Sequence, residues 1–289
     1  MGGSSSTEQT PPSPTLVEQW RTVSWGNNQE DLQYVRRYKP ENSGIKHLRV
    51  LLYGPVGAGK STFINSVKSI LQGRPAIPAA ASAITATRSF TKKYQTHKIK
   101  EGRGSSATVY PVVFNDIMGL EEGTNCGVHP EDIKLAMMGH VKEGHLFNPL
   151  APLTEKDPDY NQTPSADDKI HVLVCLLSAN ASEIKESVLD KMNNVREMAN
   201  DLGIPHIMII TKVDEACPET EKNLRNVYKS NYLKRKMKEF SSKVGITVNC
   251  IFPVKNYSHE IHLNEDVDTL ILSVLKQIID FGDDFIEQL

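Results

Sequence analysis

The apolar run Val50-Leu51-Leu52-Tyr53 passes directly into Gly54-Pro55-Val56-Gly57-Ala58-Gly59-Lys60-Ser61, which opens the helical pattern TFINSVKSILQ. A strand, a loop of spacing GxxxxGK[ST] and a helix in that order place the loop at the end of a strand in a helix-flanked sheet. Glycines let such a loop wrap with its amides pointing inward, and the helix start adds the positive end of its dipole. A lysine at the position of Lys60 reaches terminal phosphates, and the Ser61 hydroxyl suits magnesium. The stretch reads as a phosphate cradle with Gly54, Val56, Gly57, Ala58, Gly59, Lys60, Ser61 and Thr62 as contacts. It names neither a base nor a reaction, because kinases, ATPases and GTPases share it.

The remaining chain fits that frame. Beyond Gly44, apolar runs alternate with helical periodicity, the pattern of a parallel sheet with helices on both faces. HLRVLLY, VYPVVFND, KIHVLVCLLS, HIMIITKV and TVNCIFPV are too continuously apolar for strands with one wet face. YQTHKIK alternates, precedes a Gly-rich turn and suits an antiparallel edge strand. Helices are expected near residues 60–71, 131–139, 183–202, 219–240 and 267–281. Residues 1–15 are rich in Ser, Pro, Thr and Gly and read as a disordered tail. Residues 16–44 form an arm with both tryptophans and helical spacing at Leu32 and Val35, expected to pack on a main domain of residues 45–289. The Pro- and Asp-rich connection over residues 141–168 reads as a functional or mobile loop.

Two further motifs narrow the ligand. Asp116-Ile117-Met118-Gly119 ends VYPVVFND, where the carboxylate would hold magnesium through water and the Gly119 amide would meet a terminal phosphate. Thr211-Lys212-Val213-Asp214 ends HIMII. There an Asp accepts two hydrogen bonds from N1 and N2 of guanine, a donor pair adenine lacks, while the Lys212 stem covers the base. A small-molecule kinase would leave this motif without a role.

In these motifs the chain resembles the P-loop GTPases from about residue 45 to its end. Within them it is similar to the interferon-induced protein 44-like family, through GPVGAGKSTFINSVKSILQG, DIMGLEEG, TKVD, PVKNY, the acidic close DDFIEQL and the arm segment WRTVSW. Some members carry a further N-terminal domain that these residues do not match. The resemblance implies a three-layer G domain with a mostly parallel sheet and one antiparallel edge strand, binding GTP or GDP with Mg2+ in an interferon-linked innate antiviral response. It also implies Val254, Lys255 and Asn256 beside the guanine, in a motif loose enough to be an ordinary strand exit. A switch threonine on magnesium is implied as well, Thr91 in first place and Thr87 second, with Thr85 in the same stretch.

The pattern departs from the commoner one at two positions. Leu120 stands where Ras-like enzymes have a water-orienting glutamine, so hydrolysis is expected to be slow, aided by another group or a partner, or negligible. Lys60 and Thr91 are then the catalytic candidates, and Glu121, Glu122 and His129 receive no role. By analogy with other GTPases that have an apolar residue there, a nucleotide-dependent homodimer is implied, while host or viral partners stay open. Thr211 replaces an asparagine that usually ties back to the phosphate loop, which predicts looser affinity with unchanged base choice.

Charge adds little to this. Thirty-three Lys and Arg against thirty-five Asp and Glu give −2, so the total calls for neither nucleic acid nor an acidic membrane. The cluster Lys234-Arg235-Lys236 with Lys238 reads first as a solvated helix face and second as a lipid or RNA patch. Cys126, Cys175, Cys217 and Cys250 are widely spaced and suit reduced thiols in a cytoplasmic protein. Met1-Gly2-Gly3-Ser4-Ser5-Ser6 fits both a myristoylation pattern and a plain flexible leader, and one acyl chain would bind membranes only marginally.

Overall fold

A computed structural model describes residues 15–76, 92–102, 107–123 and 125–289. Thr85, Thr87 and Thr91, the switch threonine candidates, lie outside the described residues, as does the Gly2 pattern.

The continuously apolar runs become the inner strands. β1 (Leu48–Tyr53), β3 (Thr108–Asp116), β4 (Val172–Ser178), β5 (His206–Thr211) and β6 (Ile251–Pro253) pair in parallel. β2 (Gln95–Glu101) pairs antiparallel with β3 at one edge, giving the sheet order β2-β3-β1-β4-β5-β6. β4 is buried along nearly its whole length, as its apolar composition requires once helices cover both faces. One face carries α2 (Lys60–Gln72), α8 (Glu265–Ile286) and, outside α8, α1 (Asn28–Arg37). The other carries α3 (Pro130–Met137), α4 (Glu186–Asp201) and α7 (Asn231–Val244). This is the three-layer P-loop GTPase architecture with one antiparallel edge strand that the sequence implied.

Two elements differ from expectation. The single helix expected over residues 219–240 is broken into α6 (Pro218–Lys222), a short 3-10 turn and α7, and a further short helix, α5 (Val213–Ala216), precedes them. Pro218 starts a new first turn at N1, and the Ser230 side chain accepts from Leu233 N to open α7 afresh. The strand expected over residues 247–254 is shortened to three residues, because residues 248–250 form a 3-10 turn ahead of it.

The arm meets the domain through its aromatic residues. Trp20 sits edge-on to Tyr228 with ring centroids 5.3 Å apart. Arg21 lies over both rings and donates to the carbonyls of Ile251 and Val248, each at 2.6 Å. Tyr38 donates to Asp283 on α8 at 2.8 Å. Among the described residues no helix is long and apolar enough to cross a membrane.

Candidate functional site

All strands that pair with β1 end on the same side of the sheet, so the loops that follow them converge around the phosphate cradle. The Lys60 ammonium is buried there and donates to the carbonyls of Gly54 and Pro55, both at 3.1 Å. Burial pushes its proton affinity below the ordinary lysine value, and the Asp116 carboxylate opposes that shift. Ser61 lies in the first turn of α2, and its hydroxyl donates to Asp116 Oδ2 at 2.5 Å. One hydroxyl and one carboxylate, both hard oxygen donors, therefore stand side by side at the cradle mouth. That donor set fits Mg2+, which prefers oxygen ligands and retains water.

The TKVD side is tied to the same loop. Thr211 ends β5 fully buried, and its hydroxyl donates to Ala58 O at 2.8 Å. A tie to the phosphate loop of the kind expected of asparagine is therefore made by threonine. Asn256 adds a second tie, its amide donating to Gly59 O at 3.4 Å. Lys212 follows in the left-handed region, with φ 58°, the one non-glycine residue there among the described residues. Such a conformation in a side chain with a Cβ is a cost that surrounding structure must hold in place.

Asp214 Oδ2 lies 3.4 Å from Lys255 Nζ, which also lies 3.1 Å from Glu260 Oε1. Burial alone would raise the Glu260 carboxyl, but hydrogen bonds from backbone amides, together with Lys255, bring it down to about 2. Burial likewise works against the Lys255 charge, and the two carboxylates prevail and raise it. Val254 is buried and donates its amide to Ile210 O at 2.8 Å, which brings the PVKNY stretch beside TKVD. Glu260 was not legible as a site residue; an acidic residue in a short loop carries no signal of its partner.

The segment after Asp116 behaves differently. Leu120 is 1% exposed and belongs to the hydrophobic core. Its amide donates to Gly54 O at 3.0 Å and its carbonyl accepts from Val56 N at 3.3 Å, a parallel bridge onto the phosphate loop. Gly119 must be glycine here, since a Cβ would lie 2.8 Å from Val56 Cγ2 and 3.0 Å from Val56 N. Lys191 on α4 then donates to the carbonyls of Glu121, Gly123 and Cys126 at 2.9, 2.7 and 2.9 Å. No sequence signal pointed to Lys191, because its acceptors are backbone atoms seventy or so residues away. His129 serves as the N-cap of α3 through its ring, accepting from Glu131 N at 3.3 Å.

Beside these loops lies a cavity of about 620 Å3, bounded by Val56, Gly57, Leu120, Asn180, Ile184 and Lys212 among others. The basic cluster on α7 loses a member to the interior: Lys236 is buried and donates to Ala181 O at 2.7 Å.

With this geometry described, comparison with known proteins gives the relationship. Interferon-induced protein 44 of Mus musculus is 34% identical over 259 residues, 89% of this chain and 60% of that protein. The chain is a relative of interferon-induced protein 44. The Homo sapiens protein of that name is 32% identical over 89% of this chain and 57% of its own length. Interferon-induced protein 44-like of Homo sapiens is 30% identical over 88% of this chain and 56% of its own length. The resemblance read from the motifs is thus shown, and the chain spans 60% or less of each curated relative named here. No protein-family model matches the chain. Among solved structures, Toc33 from Arabidopsis thaliana in complex with GDP and Mg2+ aligns at 14% identity and TM-score 0.48, over 89% of this chain and 93% of that one. That likeness is too low to add to the topology above.

Proposed function

We propose that residues 45–289 form a guanine-nucleotide-binding G domain that holds GTP or GDP, with residues 16–44 as an arm docked on it. The observation that carries this reading is the pair of ties from Thr211 to Ala58 and from Asn256 to Gly59, which hold the guanine-reading carboxylate of Asp214 in fixed register with the phosphate cradle. Lys60 would neutralise terminal phosphate charge, and Ser61 with Asp116 would hold Mg2+, which supplies charge stabilisation on the phosphate oxygens when bound. Thr91 remains the first candidate for the switch hydroxyl, with Thr87 second. Lys212 covers the base, and Lys255, 3.4 Å from Asp214 Oδ2, holds that carboxylate in place.

Turnover is the weaker half of this function. Leu120 is packed into the core, so no side chain at that position orients water. The reading is slow hydrolysis, or hydrolysis stimulated by a second copy across the nucleotide face, in a cytoplasmic protein of the interferon-linked antiviral response. The burial of Leu120 also favours a second reading, a scaffold that holds nucleotide to recruit partners and does not turn it over.

Two measurements test this. Asp214→Asn should weaken GTP binding by roughly tenfold or more and shift preference toward xanthosine triphosphate, because the loss of one charged hydrogen bond is worth about 1.5–3 kcal/mol. Unchanged GTP affinity in that variant would remove the base assignment. Single-turnover phosphate release followed over a wide range of protein concentration then separates the readings: a rate that climbs with concentration supports the dimer, and no release at any concentration supports the scaffold.

A further inference from the structure

At the opposite end of the sheet, between α4, the start of β5 and the turn after α7, lies a second cavity of about 210 Å3 lined by Arg196, Asn200, His206, Gly245, Thr247 and Cys250. His206 opens β5 and Thr211 closes it, so roughly 17 Å of strand separates this cavity from the nucleotide site. Its volume is far above the roughly 10–15 Å3 that admits a single water.

The lining mixes polar side chains with the apolar Ile246, and its one charged side chain among the described residues is Arg196. The Arg196 guanidinium is set against the backbone of Gly245, which ends α7 at φ 73°. A Cβ there would lie 2.7 Å from Nη1 and 2.9 Å from Cζ, so a side chain at this position would push the guanidinium aside. Arg196 Nε is buried and has no hydrogen-bond acceptor among the described residues, and His206 Nε2 likewise has no hydrogen-bond partner among them. The acidic neighbour of Arg196 is Glu197, 3.6 Å from Nη2 and 69% exposed, a pair of the kind worth little in water. Among the described residues no carboxylate lines the cavity. Burial first, and then Arg196, pushes the His206 imidazole down to about 4, so near neutral pH it is an uncharged ring beside a permanent cation. Thr247 Oγ1 and Cys250 Sγ lie 3.5 Å apart on the remaining wall. A buried guanidinium N–H without an acceptor is a costly arrangement, and a polar cavity of this size invites the group that completes it.

We propose that this cavity is a binding site for a small oxyanion of phosphate, sulfate or carboxylate type, anchored on the Arg196 guanidinium and flanked by Asn200, His206 and Thr247. Guanidinium geometry matches two oxygens of such an anion at once. The neutral imidazole supplies an N–H from whichever nitrogen carries the proton. The site is independent of the nucleotide reading and of its residues.

The test uses the full chain labelled with nitrogen-15, following the side-chain Nε–H signal of Arg196 and the ring signals of His206 by NMR. Sodium phosphate, sodium sulfate and sodium acetate are titrated separately against sodium chloride at constant ionic strength. Saturable movement of both signals with at least one of the three anions is expected, and the anion that saturates lowest distinguishes tetrahedral from planar ligands. Lys60→Ala should leave these movements unchanged, because a phosphate held in the cradle lies too far away to cause them. Gly245→Ala should weaken the response at least tenfold by displacing the guanidinium. Arg196→Lys, which keeps the charge and loses the fork, should weaken the His206 response similarly and guards against a folding defect in the glycine variant. Drift that matches sodium chloride, or a His206 response undiminished in Arg196→Lys, would overturn the proposal and leave ordinary water as the occupant.

Discussion

The two loops that flank the phosphate cradle are tied to it by different chemistry. On the base side, Thr211 and Asn256 reach the loop with side chains, while the Asp214 carboxylate stays partly exposed beside Lys255. On the other side, Leu120 reaches it with backbone atoms and sends its side chain into the core. A side-chain tether leaves neighbouring polar groups available to a ligand. A backbone bridge sealed by a buried leucine makes the segment part of the fold. The TKVD side therefore keeps polar groups open beside the loop, and the Leu120 side holds a loop in place.

The comparison breaks most visibly at Leu120. Leu120→Ala should cost about 2–4 kcal/mol of stability, as buried leucine truncations do, seen as a lower midpoint in urea. Leu120→Gln should fold less stably as well and give no faster phosphate release, since the amide would enter an apolar site; a clear acceleration would show that the segment swings outward. Next in size is Lys191→Met, which strips three carbonyls of one charged donor. Faster amide exchange over residues 119–128, with guanine-nucleotide affinity changed less than the loop dynamics, is the expected result.

A smaller effect sharpens the base side. Thr211→Val removes the hydroxyl at nearly constant volume and should weaken nucleotide binding by about fivefold, from a hydrogen bond worth about 1 kcal/mol. Thr211→Asn should recover most of it, and failure of both would mean that the tie to Ala58 does not set affinity. A separate effect is that of acid on the Lys255 and Glu260 pair. The Glu260 carboxyl is held at about 2 against an ordinary 4.5, so its contribution to stability is present above the ordinary value and is lost as pH falls from about 4.5 toward 2. The difference in acid stability between the protein and Glu260→Gln should close over that window.

Much of this architecture could be read along the chain because its signals are local. GPVGAGKS, DIMG and TKVD each sit at the end of an apolar run, and the alternation of YQTHKIK marked the edge strand before any contact was known. The breaks near Pro218 and Ser230 escaped because a first-turn proline and a serine cap act only on the residues beside them. Lys236 illustrates the same limit. It stands in a run of positive charge, yet Ala181 O and the ring of Phe240 take it out of the solvated face.

By itself the sequence determined the layered α/β class, the phosphate cradle and the kinship with interferon-induced protein 44, since each rests on residues close together in the chain. Only the tertiary structure decided that Thr211 makes the tether expected of asparagine, that Leu120 is core and that Lys191 clasps the loop beside it. It also placed Arg196 and His206, ten residues apart in sequence, around one cavity. Each of these is a contact between segments distant in sequence or an accident of reach, and its geometry depends on where the sheet and helices place the backbone.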